Sequence, residues 1–319
     1  MPIAVAVVFV LRRLGVLVVT LVVASVAIFA ALALAPGDPA AAFVGGTTPS
    51  PDAVAAIREQ YHLDDPFWSR YWDWASNLLT GHIGDSFVYQ TNIATLVGPR
   101  LQVTLLLVLL SATLIMLFGV GSGIVAALSR AGIDRAITVL NAVLMGVPTF
   151  VVVIVLILVF SRTLDWFPVY GTGEGLLDVL HHLVLPAVAI AIAYLAFVSR
   201  VTRTAVRTEL TSEHVETARS RGIPYHVIIR KHVLRNGSAE VFSVAGITIA
   251  GLIAGTAVAE RAFGINGVGA LLVDAASRRD IPVVQIISLF MVGAFVVMNS
   301  LVDVVNTLID PRIGQGRRK

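Results

Sequence analysis

The sequence predicts an all-α, polytopic membrane protein with six transmembrane helices and both termini in the cytoplasm. Of its 319 residues, 57% are hydrophobic and 13% are charged, whereas about a quarter are charged in an average soluble domain. The apolar residues form runs that approach or exceed the roughly 20 residues that a helix needs to cross a bilayer. We place the six spans at residues 14–35, 101–128, 136–160, 182–199, 241–259 and 283–309.

The first and fourth spans need separate comment. Residues 1–13 are expected to lie at the inner membrane interface, with Arg12 and Arg13 at headgroup level. An alternative is a secretory signal cleaved after Ala35, but its apolar core is about twice the usual length and five spans follow. The fourth span is short and contains Pro186, which membrane helices tolerate when neighbours satisfy the freed carbonyl.

The positions of Lys and Arg predict the orientation. With the N-terminus inside, 16 of the 23 basic residues fall in cytoplasmic segments, as the positive-inside rule requires. Residues 36–100 then form an extracytoplasmic loop, residues 200–240 a cytoplasmic loop, and residues 310–319 a cytoplasmic tail. The net charge of only +3 does not indicate nucleic-acid binding.

The extracytoplasmic loop is predicted to contain two short helices. One starts at Ser50-Pro51-Asp52, and the other starts at Asp65-Pro66, aligns several aromatic residues on one side and ends near Gly81. Two interpretations remain open. The loop forms a cap or a landing surface for a solute-carrying protein, or its Trp and Tyr residues form an interfacial aromatic belt.

The cytoplasmic segment 212–236 is polar and basic, and we expect it to form two helices. Thr211 or Ser212 can cap the first helix and Gly222 ends it, while Pro224 suits the first turn of the second. The second helix has one apolar face. An ordered helical pair between two membrane spans is typical of a docking surface for another protein.

Small and polar residues within the spans predict helix contacts. Gly119 with Gly123, and Gly251 with Gly255, have the spacing of close packing. The alternative for the latter pair is that helix 241–259 lines a transport pathway and moves during gating. The candidate pathway or gating residues are Thr248, Thr256, Asn299 and Asp303, and Asn306 shares a face with the last two. Asp303 either has a transport role or pairs structurally with a neighbour.

No catalytic or metal-binding set is predicted. The absence of cysteine excludes disulfides and thiol chemistry. His181 and His182 lie where a span enters the membrane, and partly hydrated histidines are ordinary there, so they do not indicate a metal site. The sequence has no H-E-x-x-H and no G-x-S-x-G. It also lacks G-x-x-x-x-G-K-[ST], so the chain does not itself hydrolyse ATP through a P-loop.

Several motifs resemble one family. Glu216-Thr217-Ala218, followed after three residues by Gly222, is similar to the E-A-A-x-x-x-G loop of permease subunits of bacterial ABC importers. Four further segments resemble motifs of the dipeptide, oligopeptide and nickel branch of these permeases. They are Ala35-Pro36-Gly37-Asp38-Pro39, Gly81-His82-Ile83-Gly84-Asp85-Ser86, Phe263-Gly264-Ile265-Asn266-Gly267-Val268-Gly269 and Asp310-Pro311-Arg312. One departure is Ser238-Ala239-Glu240-Val241, where the family usually has Pro.

The resemblance implies a type I ABC importer permease fold in a bacterial cytoplasmic membrane, and a non-catalytic subunit that moves peptides. It implies a second, homologous permease subunit, two cytoplasmic ATPases that bind ATP and Mg²⁺, and an extracytoplasmic solute-binding protein. Residues 212–222 would be the coupling helix, with ATPase contacts from Glu216, Thr217, Ala218, Arg219, Arg221 and Gly222.

In that helix we expect Val215, Ala218 and Ile223 to fill a shallow pocket of the ATPase, with the charged residues at its rim. The alternatives to an ABC permease are an ion-coupled secondary transporter or channel, and a membrane-embedded enzyme. Secondary transporters tend to have internal repeats, and none is evident in this sequence.

Overall fold

The computed structural model describes residues 3–34, 50–60 and 64–309, and these residues confirm the all-α prediction. In chain order the helices are α1 (Ile3–Ala33), α2 (Pro51–Gln60), α3 (Phe67–Leu79), α4 (Ile93–Leu128), α5 (Ala131–Gly146), α6 (Thr149–Thr163), α7 (Leu176–Leu210), α8 (Glu213–Ser220), α9 (Tyr225–Ile228), α10 (Leu234–Ala262), α11 (Val268–Ser277) and α12 (Ile281–Ile309). The two loop helices predicted between the first two spans correspond to α2 and α3.

Among the residues that the structure describes, four helices are long and apolar enough to cross a membrane: α1 from Arg13 onward, α4, α7 and α12. Two bent helix pairs, Ala131–Gly146 with Thr149–Thr163 and Tyr225–Ser238 with Glu240–Ile253, are also long and apolar enough when each pair is taken together. Counting each pair as one span gives the predicted six. The predicted fourth span, 182–199, is the middle of α7, which continues for 35 residues through Pro186.

The predicted third span is sharply bent, because α5 and α6 meet at an angle of 101°. The break lies at Val147, which has an extended backbone (φ −83°, ψ 121°), and at Pro148, which precedes α6. The residue before a proline is disfavoured in helical geometry, so Pro148 accounts for the end of α5.

The chain divides into two compact units. The first consists of Leu105–Ile265 and the residues from Val297 onward, and α7 contacts α4, α5, α6 and α10 within it. A Cβ atom on Gly123 would lie 2.6 Å from the backbone oxygen of Ser199, and one on Gly119 would lie 3.1 Å from that of Leu195. The predicted close packing at this glycine pair is confirmed, and its partner is α7.

A buried polar cluster joins three helices of the first unit. The Ser122 hydroxyl on α4 donates to Ser199 Oγ at 2.9 Å, and the Asn141 amide on α5 donates to the same oxygen at 2.8 Å. Ser199 lies on α7 and is fully buried. Because an apolar membrane interior offers no competing water, such hydrogen bonds hold helices in register.

The second unit consists of Pro2–Thr104 and Asn266–Val296. Its apolar core is formed by the buried residues Ile93, Val268, Leu271, Ala275, Val283 and Ile287. The turn between α11 and α12 holds Asp280, which is fully buried. Its carboxylate accepts hydrogen bonds from the Ser86 hydroxyl, from Phe87 N–H at 3.1 Å and from Val88 N–H at 3.3 Å. One acidic side chain therefore anchors the loop that precedes α4.

Candidate functional site

The candidate site is α8, the short helix of the polar segment 212–236. Its apolar side is formed by Val215 and Ala218, which are 0% and 5% exposed. These two side chains belong to a buried cluster with Ala127 of α4 and Val206 of α7, completed by Ile228 and Val233. The chain itself therefore fixes the position of α8.

The two ends of α8 differ in their capping. At the C-terminus, Gly222 N–H donates to the Arg219 carbonyl at 2.9 Å and Ile223 N–H donates to the Ala218 carbonyl at 3.2 Å. This is a Schellman motif, and its left-handed residue is Gly222 with φ +74°, as predicted. At the N-terminus, the Ser212 hydroxyl donates to the Glu209 carbonyl at 2.6 Å instead of capping the helix.

The exposed face of α8 and its C-terminal turn is polar and charged. Glu216, Thr217, Arg219, Arg221 and Gly222 are exposed. Ala218 is the exception among the six predicted coupling residues, because it is buried against the chain's own helices together with Val215. The expectation that Val215, Ala218 and Ile223 fill a partner's pocket therefore needs correcting: Val215 and Ala218 are buried, and Ile223 packs against the same internal cluster.

An ion-pair cluster lies on the α7 segment that leads into α8. Asp134, in the first turn of α5, is 8% exposed and accepts hydrogen bonds from Arg203 Nε, from Arg203 Nη2 at 2.8 Å and from Arg207 Nη2 at 2.8 Å. A carboxylate that binds two guanidinium groups in this way fixes distance and angle together. The cluster ties the start of α5 to the last two turns of α7.

His214 adds a second tie between α8 and its neighbours. Its Nε2 atom lies 3.1 Å from the Asn236 amide nitrogen on α10 and 3.3 Å from Glu209 Oε2 on α7. These side chains are partly or fully exposed, so the contacts position α8 more than they stabilise the fold.

The second predicted helix of the segment is not a separate element. Pro224 precedes α9 as predicted, but a π-helical turn at Ile229–Val233 joins α9 to α10. A bend of 45° lies between Ser238 and Glu240. The polar segment therefore passes directly into the fifth apolar helix, which starts at Leu234 and not at residue 241.

The structure gives the surroundings of some of the predicted pathway residues and not of others. Thr248 and Thr256 are buried on α10, and each hydroxyl donates to a carbonyl of its own helix, Val244 at 2.8 Å and Ile253 at 3.1 Å. Asn299 is half-buried on α12. Asp303 lies on the same helix, but its side chain, like that of Asn306, is outside the described residues. A pathway role for these four residues stays a prediction.

The second glycine pair differs from the first. Cβ atoms on Gly251 and Gly255 would lie 3.8 and 3.5 Å from the Tyr194 hydroxyl, which is ordinary van der Waals separation. The tight position on α10 is Gly246, where a Cβ atom would collide with Val302 of α12. Its spacing from Ala250 is the small-xxx-small pattern that could have revealed it.

Sequence reasoning missed the ion-pair cluster around Asp134, although two signals were available. Arg203 and Arg207 are four residues apart and therefore share a helix face. Asp134 follows a short turn, in the first turn of a helix that starts between two arginines, Arg130 and Arg135. Because arginines in these segments also satisfy the positive-inside rule, their number alone does not indicate a pairing.

The apolar helices and their glycine-mediated packing define a multi-pass membrane protein. The family model described as "Binding-protein-dependent transport system inner membrane component" matches residues 119–315, and the model for the N-terminal part of this component matches residues 6–108. The chain belongs to this family.

Curated relatives match over nearly their whole lengths. A probable peptide ABC transporter permease protein, y4tP of Sinorhizobium fredii, is 36% identical over 96% of this chain and 99% of its own. The di/tripeptide transport system permease protein DppB of Pseudomonas aeruginosa is 32% identical over 97% of this chain and 99% of its own.

A solved structure supports the fold. A chain of the MetNI methionine ABC transporter in an inward-facing conformation is similar with a TM-score of 0.50. The similarity covers 65% of this chain and 93% of that one, at 16% sequence identity.

Proposed function

We propose that this chain is a permease subunit of a peptide importer in a bacterial cytoplasmic membrane. It pairs with a second, homologous permease subunit, and two cytoplasmic ATPases supply the energy by binding ATP and Mg²⁺. A solute-binding protein outside the membrane delivers the cargo. The peptide cargo is supported by the names of the curated relatives, which are peptide and di/tripeptide permeases.

The observation that carries the coupling role is the division of α8 into two faces. Its apolar face is locked into the chain's own core, and its exposed face carries Glu216, Arg219 and Arg221. A charged, solvent-accessible patch suits the polar rim of a protein interface. A partner that pushes or pulls on this face would move α8 together with the helices packed beneath it.

The displacement has a defined route into the membrane. Only Thr211 and Ser212 separate α8 from α7, and Asp134 joins the end of α7 to α5 through Arg203 and Arg207. A motion of the ATPase would therefore reach α7, which packs against α4, α5, α6 and α10. Alternation between inward- and outward-facing forms follows if these helices move with α7.

The orientation is testable because the chain contains no cysteine. Thr217→Cys on the exposed face of α8 and Ser76→Cys on α3 each introduce a single reactive site in an exposed position. In whole cells, a membrane-impermeant maleimide should label Ser76→Cys alone, and Thr217→Cys should react only after the membrane is opened. Labelling of Thr217→Cys in intact cells would overturn the proposed topology.

The coupling role is tested by Gly222→Asp in the assembled complex. Gly222 has φ +74°, and a Cβ atom at this position would meet open space. Asp and Asn tolerate left-handed backbone geometry better than other residues with side chains. Gly222→Asn is therefore the matched control, since it has the same shape without the charge. The Asp variant should assemble but lose cargo-stimulated ATP hydrolysis and uptake, whereas the Asn variant retains most of both.

Unchanged stimulation of ATP hydrolysis and unchanged uptake in Gly222→Asp would refute the coupling assignment.

The cargo is tested separately, with labelled dipeptides, longer peptides and Ni²⁺ in reconstituted vesicles. Uptake of Ni²⁺ without uptake of any peptide would refute the cargo class and leave the coupling assignment intact.

A further inference from the structure

Helix α3 presents an apolar stripe that the described residues of its own unit leave uncovered. Trp68 and Trp72 are 60% and 65% exposed, and Leu79 is 87% exposed. At about 100° per residue, positions i, i+4 and i+11 fall within about 40° of one another. These three side chains therefore form one stripe along the whole length of the helix.

The stripe has a defined place on the helix surface. The buried side of α3 is centred on Tyr71, which is 5% exposed, and the opposite side carries the exposed polar residues Asp73, Ser76 and Asn77. The stripe lies between these two sides. A helix that is apolar on one flank and polar on the other is typical of helices that lie in the plane of a membrane surface.

Contacts with α1 fix the depth of α3. The rings of Phe67, Tyr71 and Trp74 all lie 5.3–5.7 Å from the ring of Phe29. Residues spread over two turns of α3 therefore pack around one residue of α1. Phe29 is four residues, or about 6 Å, before Ala33, the last residue of the helical segment that is long and apolar enough to cross a membrane.

A hydrogen bond agrees with this depth. The Tyr71 hydroxyl lies 2.9 Å from Ser25 Oγ, and Ser25 is about 12 Å before the end of the span at 1.5 Å per residue. Only 11% of the apolar stretch of α1 is buried, so most of this helix is left uncovered by the described residues. Arg70, whose guanidinium lies 6.0 Å from the Phe29 ring, supplies the cation often found at headgroup level.

We propose that α3 is an in-plane anchor whose stripe of Trp68, Trp72 and Leu79 inserts into the lipid at the boundary between headgroups and acyl chains. Trp suits this position because its ring is apolar and its indole N–H needs a polar partner. The occupant of the stripe is the bilayer itself. This inference depends on the membrane-spanning fold and is independent of the cargo and of the ATPase contact.

The test uses spin labels in the assembled complex, with cysteine-free partner subunits, in nanodiscs of phosphatidylcholine and phosphatidylglycerol. Leu79→Cys places a label on the stripe and keeps both tryptophans. Asn77→Cys is the matched control, because it is exposed in the last turns of the same helix on the polar side. Power saturation with oxygen, which partitions into lipid, and with a water-soluble nickel chelate measures the surroundings of each label.

The Leu79→Cys label should be several-fold more accessible to oxygen than to the nickel chelate, and the Asn77→Cys label should show the reverse. Adding Trp68→Ser and Trp72→Ser should shift the Leu79→Cys label toward the aqueous reagent without dissociating the complex.

Two outcomes would overturn the proposal. Free access of the nickel chelate to Leu79→Cys would mean that the stripe faces water, and its loss on addition of the solute-binding protein would identify a docking surface instead. Exclusion of both reagents from Leu79→Cys would mean that another subunit covers the stripe. Neither result depends on whether the complex transports peptides.

Discussion

Replacing Asp280 with Asn should loosen the loop that precedes α4 while the surrounding helices stay folded. The Asp280 carboxylate is fully buried and accepts three hydrogen bonds, from the Ser86 hydroxyl and from the N–H groups of Phe87 and Val88. Asn preserves the shape but removes the charge, and its NH₂ group faces at least one of these donors.

The expected cost follows from the contacts. Hydrogen bonds to a charged group contribute about 1.5–3 kcal/mol each, and an unsatisfied buried donor costs about 1–3 kcal/mol. Some of this is recovered by the remaining carbonyl oxygen, so we expect a loss of about 2–4 kcal/mol. At about 1.4 kcal/mol per factor of ten, local opening becomes roughly 30- to 700-fold more frequent.

Hydrogen exchange of the Phe87 and Val88 amides measures this opening directly, because both donate to the replaced group. The matched control is Asp85→Asn in the same loop. Asp85 is exposed and accepts from the Asn92 amide at 3.2 Å, so exchange should change less than about fivefold, equivalent to about 1 kcal/mol. Unaltered exchange at Phe87 and Val88 in Asp280→Asn, or an equal effect from Asp85→Asn, would refute the anchoring role.

Two further substitutions probe the first unit. Gly123→Ala should lower the melting temperature of the complex, because its Cβ would lie 2.6 Å from the Ser199 backbone oxygen and overpacking costs about 1–3 kcal/mol. The control is Gly121→Ala, which should be neutral or stabilising because its Cβ would meet open space. Equal effects of the two substitutions on the melting temperature would contradict the proposed packing. Asp134→Asn should lower the melting temperature less than Gly123→Ala does, because solvent screens its partly exposed arginine partners, and its difference from wild type should shrink at high salt. The control is Arg200→Gln, because Arg200 is exposed on the same helix as those partners. If Arg200→Gln lowers the melting temperature as much as Asp134→Asn does, a specific ion pair at Asp134 is excluded.

Local chemistry made part of the site predictable. The end of α8 at Gly222 follows from the conformational freedom of glycine, because the chain needs a left-handed residue at that point. The same applies to the loop helices that start after Ser50 and Asp65, because prolines and acidic residues near a helix start act within one turn. The apolar runs predicted the spans because hydrophobic length is a property of contiguous residues.

Long-range pairing was not predictable in the same way. Ser86 and Asp280 are 194 residues apart, and Asp134 and Arg203 are 69 apart, so no local pattern relates them. The inward burial of Ala218 also depends on Ala127 and Val206, which lie on other helices. An amphipathic pattern shows that one face is covered, but it does not say whether the cover is the chain itself or a partner.

Ser199 has a consequence for the way the protein is made. It receives hydrogen bonds from Ser122 and Asn141, which are 77 and 58 residues earlier in the chain. At about 5–20 residues per second, a ribosome needs roughly 3–12 s to pass from Asn141 to Ser199. During that interval Ser122 and Asn141 have been synthesised, but the side chain that accepts their hydrogen bonds has not. Insertion of α7 therefore completes the packing of α4 and α5, which are synthesised before it.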